Sequence, residues 1–312
     1  MTRLALAFIS IISPFLFGSC QEKLEWTVDI KAGNVSFTED GEVLETASFE
    51  EIMPLDAIRP SPQGGDCWGD YFFQFTAPNS AVRVYDLSTK TLVQTIKLTS
   101  SLRGFVTNCH SNSVNFGTEY YDVNDVFPLI YVSTGYAAGG YTGALVYRIA
   151  QHNGTFFITL VQTIKFPVDR TSWTEFIPGD EYAYLCYTTE RVIYKVPMPK
   201  LKDGDIIISE EDAVETYQFP PQPDWMFTSR NQDRMFYQGK ILCISGVPKE
   251  EASVFMVLNL KTCERERIID FTKIGLTSES ESLFLWQGDI CVAFVDKVVR
   301  LIDFVNPLVI NV

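Results

Sequence analysis

Five short apolar runs recur along the chain, and their spacing restricts the fold more than any other feature. They are residues 71–75 (YFFQF), 129–133 (LIYVS), 184–188 (YLCYT), 241–245 (ILCIS) and 289–293 (DICVA). Their central residues, Phe73, Tyr131, Cys186, Cys243 and Cys291, are separated by steps of 58, 55, 57 and 48 residues. Each run is followed by a turn and a second strand-like segment, at 82–87, 145–149, 192–196, 255–260 and 299–304. Four units then add a further strand, at 92–98, 160–166, 213–219 and 265–271, and the first two of these share Leu-Val-Gln-Thr-Ile-Lys. A looser, more polar strand candidate precedes each run, at 65–69, 110–116, 172–177, 225–236 and 279–286. A long, near-constant period of all-strand units identifies a repeat architecture. Four strands per unit arranged radially make a propeller blade. A β-sandwich also supplies short strands, but it does not explain a shared register at this period.

The expected fold is therefore all-β: a β-propeller of five blades, with six as the alternative if residues 26–60 form most of another blade. The last unit ends near Phe304 and lacks an outer strand. A ring must close or leave strand edges exposed. Residues 26–44 contain β-compatible stretches at 25–30 and 33–37, and Trp26, Val28 and Ile30 alternate on one face. The N-terminal strand is thus expected to complete the last blade. Helical patterning is weak throughout, and only residues 49–55 hint at a helical turn. The glycine-rich stretch 136–143 joins two strand candidates and reads as a hairpin loop.

The N-terminus carries a different signal. Arg3 precedes an apolar stretch from Leu4 to Phe17, broken by Pro14 and ended by Gly18-Ser19-Cys20. The stretch is short for a membrane span, which needs about 20 apolar residues, and has the form of a signal peptide. Phe17-Gly18-Ser19-Cys20 resembles the lipobox of bacterial lipoproteins, with Phe17 where that motif usually has Leu. The resemblance implies cleavage before Cys20 and acylation of its thiol, so the chain would be anchored to a membrane rather than spanning it. An ordinary secretory signal or a retained anchor helix are the alternatives. The expected division is a signal at 1–19, a lipidated tether at 20–25 and one propeller domain at 26–312. The expected location is the cell envelope, on the periplasmic or surface face of the outer membrane.

The formal charge of −14 is not offset by any basic patch, which argues against nucleic acid as a partner. With Cys20 assigned to lipid, six cysteines are left: Cys67, Cys109, Cys186, Cys243, Cys263 and Cys291. The repeat places Cys186, Cys243 and Cys291 at one equivalent position in successive blades. Each is expected to be free and packed as a small hydrophobe, too far from the others for a disulfide. Cys67 and Cys109 both precede a central run, on neighbouring inner strands, which leaves a bridge between them open. His110 and His152 are the only histidines, so no zinc site and no other metal or cofactor is expected.

The functional surface of such a ring is expected at the mouth of its central channel. Candidate binding residues are Trp68, His110, Asn112, Arg170, Trp173, Trp225 and Arg230. The Trp rings would stack on a sugar or an apolar side chain, and the guanidinium groups would clamp a carboxylate. Asp66, Glu175 and Glu281 are the weaker catalytic candidates, since glycosidases work through pairs of carboxyl groups. The plainer structural reading has the Trp residues filling gaps between blades, the acids solvated and His110 hydrogen-bonded along a channel-facing strand.

The lipobox at 17–20 together with the blade pattern over 73–304 resembles the uncharacterised TolB-like β-propeller lipoproteins of Bacteroidetes-type bacteria. The resemblance implies an envelope location and a binding role, and carries over no site residue. The expected function is a membrane-anchored, non-enzymatic binding or scaffold module for a protein, peptide or glycan. The alternative is a glycan-active hydrolase or lyase using carboxylates at the channel mouth.

Overall fold

A computed structural model of the chain describes residues 25–29, 34–39, 42–56, 59–98, 110–138, 141–167, 174–187, 192–219, 231–248 and 253–302. The strands follow the repeat. The N-terminal segment forms β1 (Glu25–Asp29), β2 (Asn34–Glu39) and β3 (Glu42–Pro54). Blade 1 contains β4 (Ser61–Trp68), β5 (Tyr71–Ala77), β6 (Ala81–Asp86) and β7 (Thr91–Lys97). Blade 2 contains β8 (Ser111–Phe116), β9 (Ile130–Ala138), β10 (Tyr141–His152) and β11 (Thr155–Pro167). Blade 3 contains β12 (Thr174–Pro178), β13 (Tyr182–Tyr187), β14 (Val192–Pro197) and β16 (Glu215–Gln218), while the short β15 (Ile206–Ile207) between the last two joins the outer edge of blade 2. Blade 4 contains β17 (Asn231–Tyr237), β18 (Lys240–Ser245), β19 (Val254–Asn259) and β20 (Glu264–Asp270). Blade 5 contains β21 (Ser280–Trp286), β22 (Asp289–Phe294) and β23 (Lys297–Ile302). Five sheets result, a five-bladed β-propeller, with the polar strand that precedes each apolar run innermost.

Both faces of a blade are covered by neighbouring blades, so its second strand is apolar on both sides. In β18 every residue is buried. Alternate residues of one strand serve opposite interfaces. Phe73 and Phe75 of β5 pack into the core shared with blade 2, where Phe73 lies 5.3 Å from Phe127 and 5.6 Å from Phe156. Phe72, one position before Phe73, faces blade 5 and stacks on Phe284 at 4.6 Å. The five hydrophobic clusters correspond one to one with the five blade interfaces. A two-sided core of this kind removes about 25 cal/mol per Å² of apolar surface from water on each face. It rests on period-2 alternation with apolar residues at both phases.

The ring does close through the N-terminal segment, though not with the stretch expected. The strand paired with β23 is β3, in the register Leu301↔Phe49 and Arg300↔Glu50, while β2 and β1 continue the sheet outward. Residues 49–54, whose pattern hinted at a helical turn, are extended. Their apolar residues Ile52 and Met53 fill the core between blades 5 and 1, a tertiary demand that overrides local propensity.

Cys67, Cys186, Cys243, Cys263 and Cys291 are free, which rules out the bridge considered for Cys67. Its partner in that pairing, Cys109, lies outside the described residues, as does Cys20. Cys186, Cys243 and Cys291 each face the next blade from equivalent positions. Burial pushes the Cys186 thiol up to about 11 and the Cys243 and Cys291 thiols up to about 12. Reaction with an aromatic disulfide reagent, mapped by mass spectrometry, should therefore modify Cys263 in the native protein. Cys67, Cys186, Cys243 and Cys291 should react only after unfolding.

Candidate functional site

The innermost strands β4, β8, β12, β17 and β21 surround the axis. The residue paired with each central residue of the repeat lies on the same face as that residue. These partners are Asp66 (with Phe73), Asn115 (with Tyr131), Glu175 (with Cys186), Arg234 (with Cys243) and Phe284 (with Cys291). One position per blade thus forms a layer around the axis, occupied by two acids, an amide, a guanidinium and a ring.

Side chains in and beside this layer bond to the backbone of other blades. Asp66 accepts N–H bonds from Cys67 and Phe116, each at 2.7 Å, and so joins blade 1 to blade 2. Asp233 accepts from its neighbour Arg234 N at 2.7 Å, from Val114 N of blade 2 at 3.3 Å and from Leu283 N of blade 5 at 2.9 Å. Asn115 Nδ2 donates to Arg234 O at 2.8 Å, across the ring. The Glu175 carboxylate lies 3.1 Å from Arg234 Nε, an ion pair between blades 3 and 4. Burial raises the Glu175 carboxyl, and the Arg234 charge partly offsets that rise. Gly64 permits the closest approach: a Cβ there would collide with the backbone oxygens of Ser111 and Asn112.

At the end where the inner strands begin, a polar chain crosses the mouth. Gln63 Nε2 donates to Glu281 Oε2 at 3.1 Å, and Gln63 Oε1 lies 3.0 Å from His110 Nδ1. An amide oxygen only accepts, so His110 carries its proton on Nδ1 in this arrangement. Asn112 Nδ2 donates to Asn231 O at 3.2 Å, and Gln232 Nε2 to Glu279 Oε1 at 2.7 Å. The Asn112 Oδ1 and Ser280 Oγ atoms are buried without a hydrogen-bond partner. Burial drives the Glu281 carboxyl well above the ordinary range, with the Glu279 and Asp233 charges adding to the rise, and burial lowers His110. This end of the ring is thus closed by buried amides and carboxyl groups bonded to one another, with Asn112 Oδ1 and Ser280 Oγ as its unbonded polar atoms.

The structure separates the sequence candidates. His110, Asn112 and Glu281 are at the mouth, while Asp66 and Glu175 belong to the axial layer. Trp68, the last residue of β4, is at the opposite end, 5.6 Å from Phe116 and 6.5 Å from Tyr120. Arg170, Trp173, Trp225 and Arg230 lie outside the described residues. Gln63, Asn115, Asp233 and Arg234 were not singled out from the sequence. Pairing each central residue with its hairpin partner would have identified Asn115 and Arg234. Among the described residues, no cluster of three or more His, Cys, Asp or Glu side chains could hold a metal ion.

The axial acids set a pH dependence. Burial raises Asp66 from 3.8 to about 7, against the pull of its two N–H donors. The folded protein therefore holds a proton that the unfolded chain releases in that window. This contribution is complete below about pH 4 and is lost as pH rises through about 7, at ~1.4 kcal/mol per pH unit. Asp233 and Glu281 are raised as well, which extends the trend in the same direction. Asp86, Asp122 and Glu215 are lowered by hydrogen bonds and oppose it only in acid, while among the described residues His110, lowered by burial, is the single group that opposes it up to about pH 6.5. Urea unfolding midpoints should fall from pH 5 to pH 8, and Asp66→Asn should flatten the slope between pH 4 and 7.

No protein-family model matches the chain, and no curated protein matches it. Solved propeller structures do. A glutaminyl cyclase from Myxococcus xanthus is 12% identical and covers 82% of this chain and 96% of its own, with a TM-score of 0.50. A protein of unknown function from Bacteroides caccae is 9% identical and covers 83% and 78%, with a TM-score of 0.38. BamB from Moraxella catarrhalis is 8% identical and covers 89% and 78%, with a TM-score of 0.31. These likenesses concern the fold alone, and function belongs to the site.

Proposed function

We propose that this protein is a TolB-like lipoprotein of the cell envelope, held by an acylated Cys20. In this reading its propeller binds a peptide, protein or glycan at the channel mouth without altering it chemically. The supporting observation is the occupation of the candidate acids. Asp66 is bonded to two backbone N–H groups, Glu175 is paired with Arg234 and Glu281 is bonded to Gln63. Carboxyl groups committed to joining blades are not poised as an acid and a nucleophile over a substrate. What the mouth offers a ligand instead is the unbonded Asn112 Oδ1 and Ser280 Oγ, held in place by the amides around them.

The test is a panel of peptides and glycans screened for binding and for cleavage with the full-length Cys20→Ser chain. Binding without turnover, weakened by Gln63→Ala and by Asn112→Ala, is the expected result. Cleavage of any glycan, abolished by Glu281→Gln, would establish the hydrolase instead. The anchor is tested separately: labelled palmitate should enter the wild-type chain in a bacterial host and not the Cys20→Ser chain.

A further inference from the structure

Four of the five blades join their first two strands by a short turn. Blade 1 uses Gly69-Asp70, blade 3 residues 179–181, blade 4 Gln238-Gly239 and blade 5 Gln287-Gly288. The last two turns have both central residues at positive φ, the geometry of a tight hairpin. Blade 2 alone spends residues 117–129 on the same connection. A long excursion where the repeat needs two or three residues calls for an explanation beyond folding.

The excursion is held rigidly. Gly117 N donates to Leu129 O at 2.9 Å, and Leu129 N to Glu119 O at 2.7 Å. Asp125 takes a two-pronged bond from Arg148, at 2.7 and 2.9 Å. The Glu119 carboxylate accepts from Leu201 N of blade 3 at 3.1 Å. Phe127 is buried against Phe73 and Phe156. Yet the segment presents apolar surface to water: Val123 is 93% exposed, Val126 61%, Tyr121 46% and Tyr120 41%, beside Trp68 at 37%.

We propose that Trp68 and residues 117–129 form a docking surface, at the end of the ring opposite the mouth, for a partner-protein peptide that sets apolar side chains beside Lys or Arg. Charge complementarity selects this occupant. The excursion carries Glu119, Asp122 and Asp125 and no basic residue, and Asp70 adjoins Trp68. Arg148, whose guanidinium carbon lies 4.5 Å from the Tyr121 ring centroid while its nitrogens bond Asp125, displays within the molecule the contact a partner cation would make. Rigid aromatic groups anchor a partner at low entropic cost. A neutral glycan would leave the acidic charge of the excursion unmatched. An anionic bilayer or a second copy would meet like charge.

The test uses the full chain in detergent at about 0.15 M salt, where the Debye length is ~8 Å. The probe is a fluorescent ten-residue peptide of alternating Lys and Leu, compared with its Glu-for-Lys counterpart, phosphatidylglycerol vesicles and neutral oligosaccharides. The Lys peptide should bind, and Tyr120→Ala with Val123→Ser should weaken it roughly tenfold or more. Val214→Ser, exposed on blade 3, should leave it unchanged, and neither variant should shift the unfolding midpoint. The proposal is overturned if wild type does not bind the Lys peptide or if all variants bind it equally. It is equally overturned if binding of vesicles, oligosaccharides or the Glu peptide, or self-association, is what the Tyr120/Val123 variant loses. Because this end is remote from Gln63 and Asn112, Gln63→Ala should not affect it, which keeps the two sites separable.

Discussion

Deleting residues 42–54 is expected to abolish cooperative unfolding. The deletion takes the fourth strand from blade 5 and strips Ile52 and Met53 from the core shared with blade 1. It also leaves β23, with Val298, Val299 and Leu301, as an open apolar edge, the arrangement that templates aggregation. A ring loses more than one strand's contacts when it opens, because the interface on the far side of the gap goes too. Near-ultraviolet circular dichroism and a urea titration report the result. A synthetic peptide of residues 42–56, added in trans, should restore the transition, while the same peptide with Ile52→Asp and Met53→Asp should not. Restoration by both peptides, or native unfolding without either, would remove β3 from its role in closing the ring.

Asp233→Ala is expected to cost roughly 3–5 kcal/mol, since each buried N–H left without an acceptor costs ~1–3 kcal/mol. Three N–H groups lose their acceptor: Val114, Arg234 and Leu283, from blades 2, 4 and 5. Asp233→Asn should recover part of the loss, because its one oxygen still accepts while its NH₂ group faces a donor. Asp86→Ala, which breaks only turn bonds at Ser88 and Thr89, should cost less than about 1 kcal/mol. Urea midpoints at constant m-value rank the three. A ranking that put Asp86→Ala above Asp233→Ala would mean that the axial bonds do not hold the ring.

The blade strands were legible because burial on both faces leaves a local record. Runs such as ILCIS at 241–245 are apolar at both phases of the strand period, and only a strand flanked by two sheets demands that. The axial layer was legible in part. Asp66, Glu175 and Glu281 drew attention as acids near the expected channel, but an acid reads the same in sequence whether it bonds a backbone N–H two strands away or faces a substrate. Asp233 and Arg234 went unread because their partners, Val114 and Glu175, are far away in the chain.

The chain's own pattern therefore determined the strands, the repeat and the all-β ring. The tertiary structure decided what covers each strand. Leu-Val-Gln-Thr-Ile-Lys occurs in both β7 and β11, and the two copies lead different lives. In β7 it is mostly exposed, and Gln94 reaches the Phe156 backbone of blade 2. In β11 its Gln162, Thr163 and Ile164 are buried, because β15 pairs along that edge and Gln162 donates to Lys200 O and Gly204 O. Likewise Asp66 and Trp68, two residues apart, end on the axis and at the exposed far end. Alternation along a strand is a local property of the backbone, whereas burial is conferred by whichever segment the folded ring lays against it.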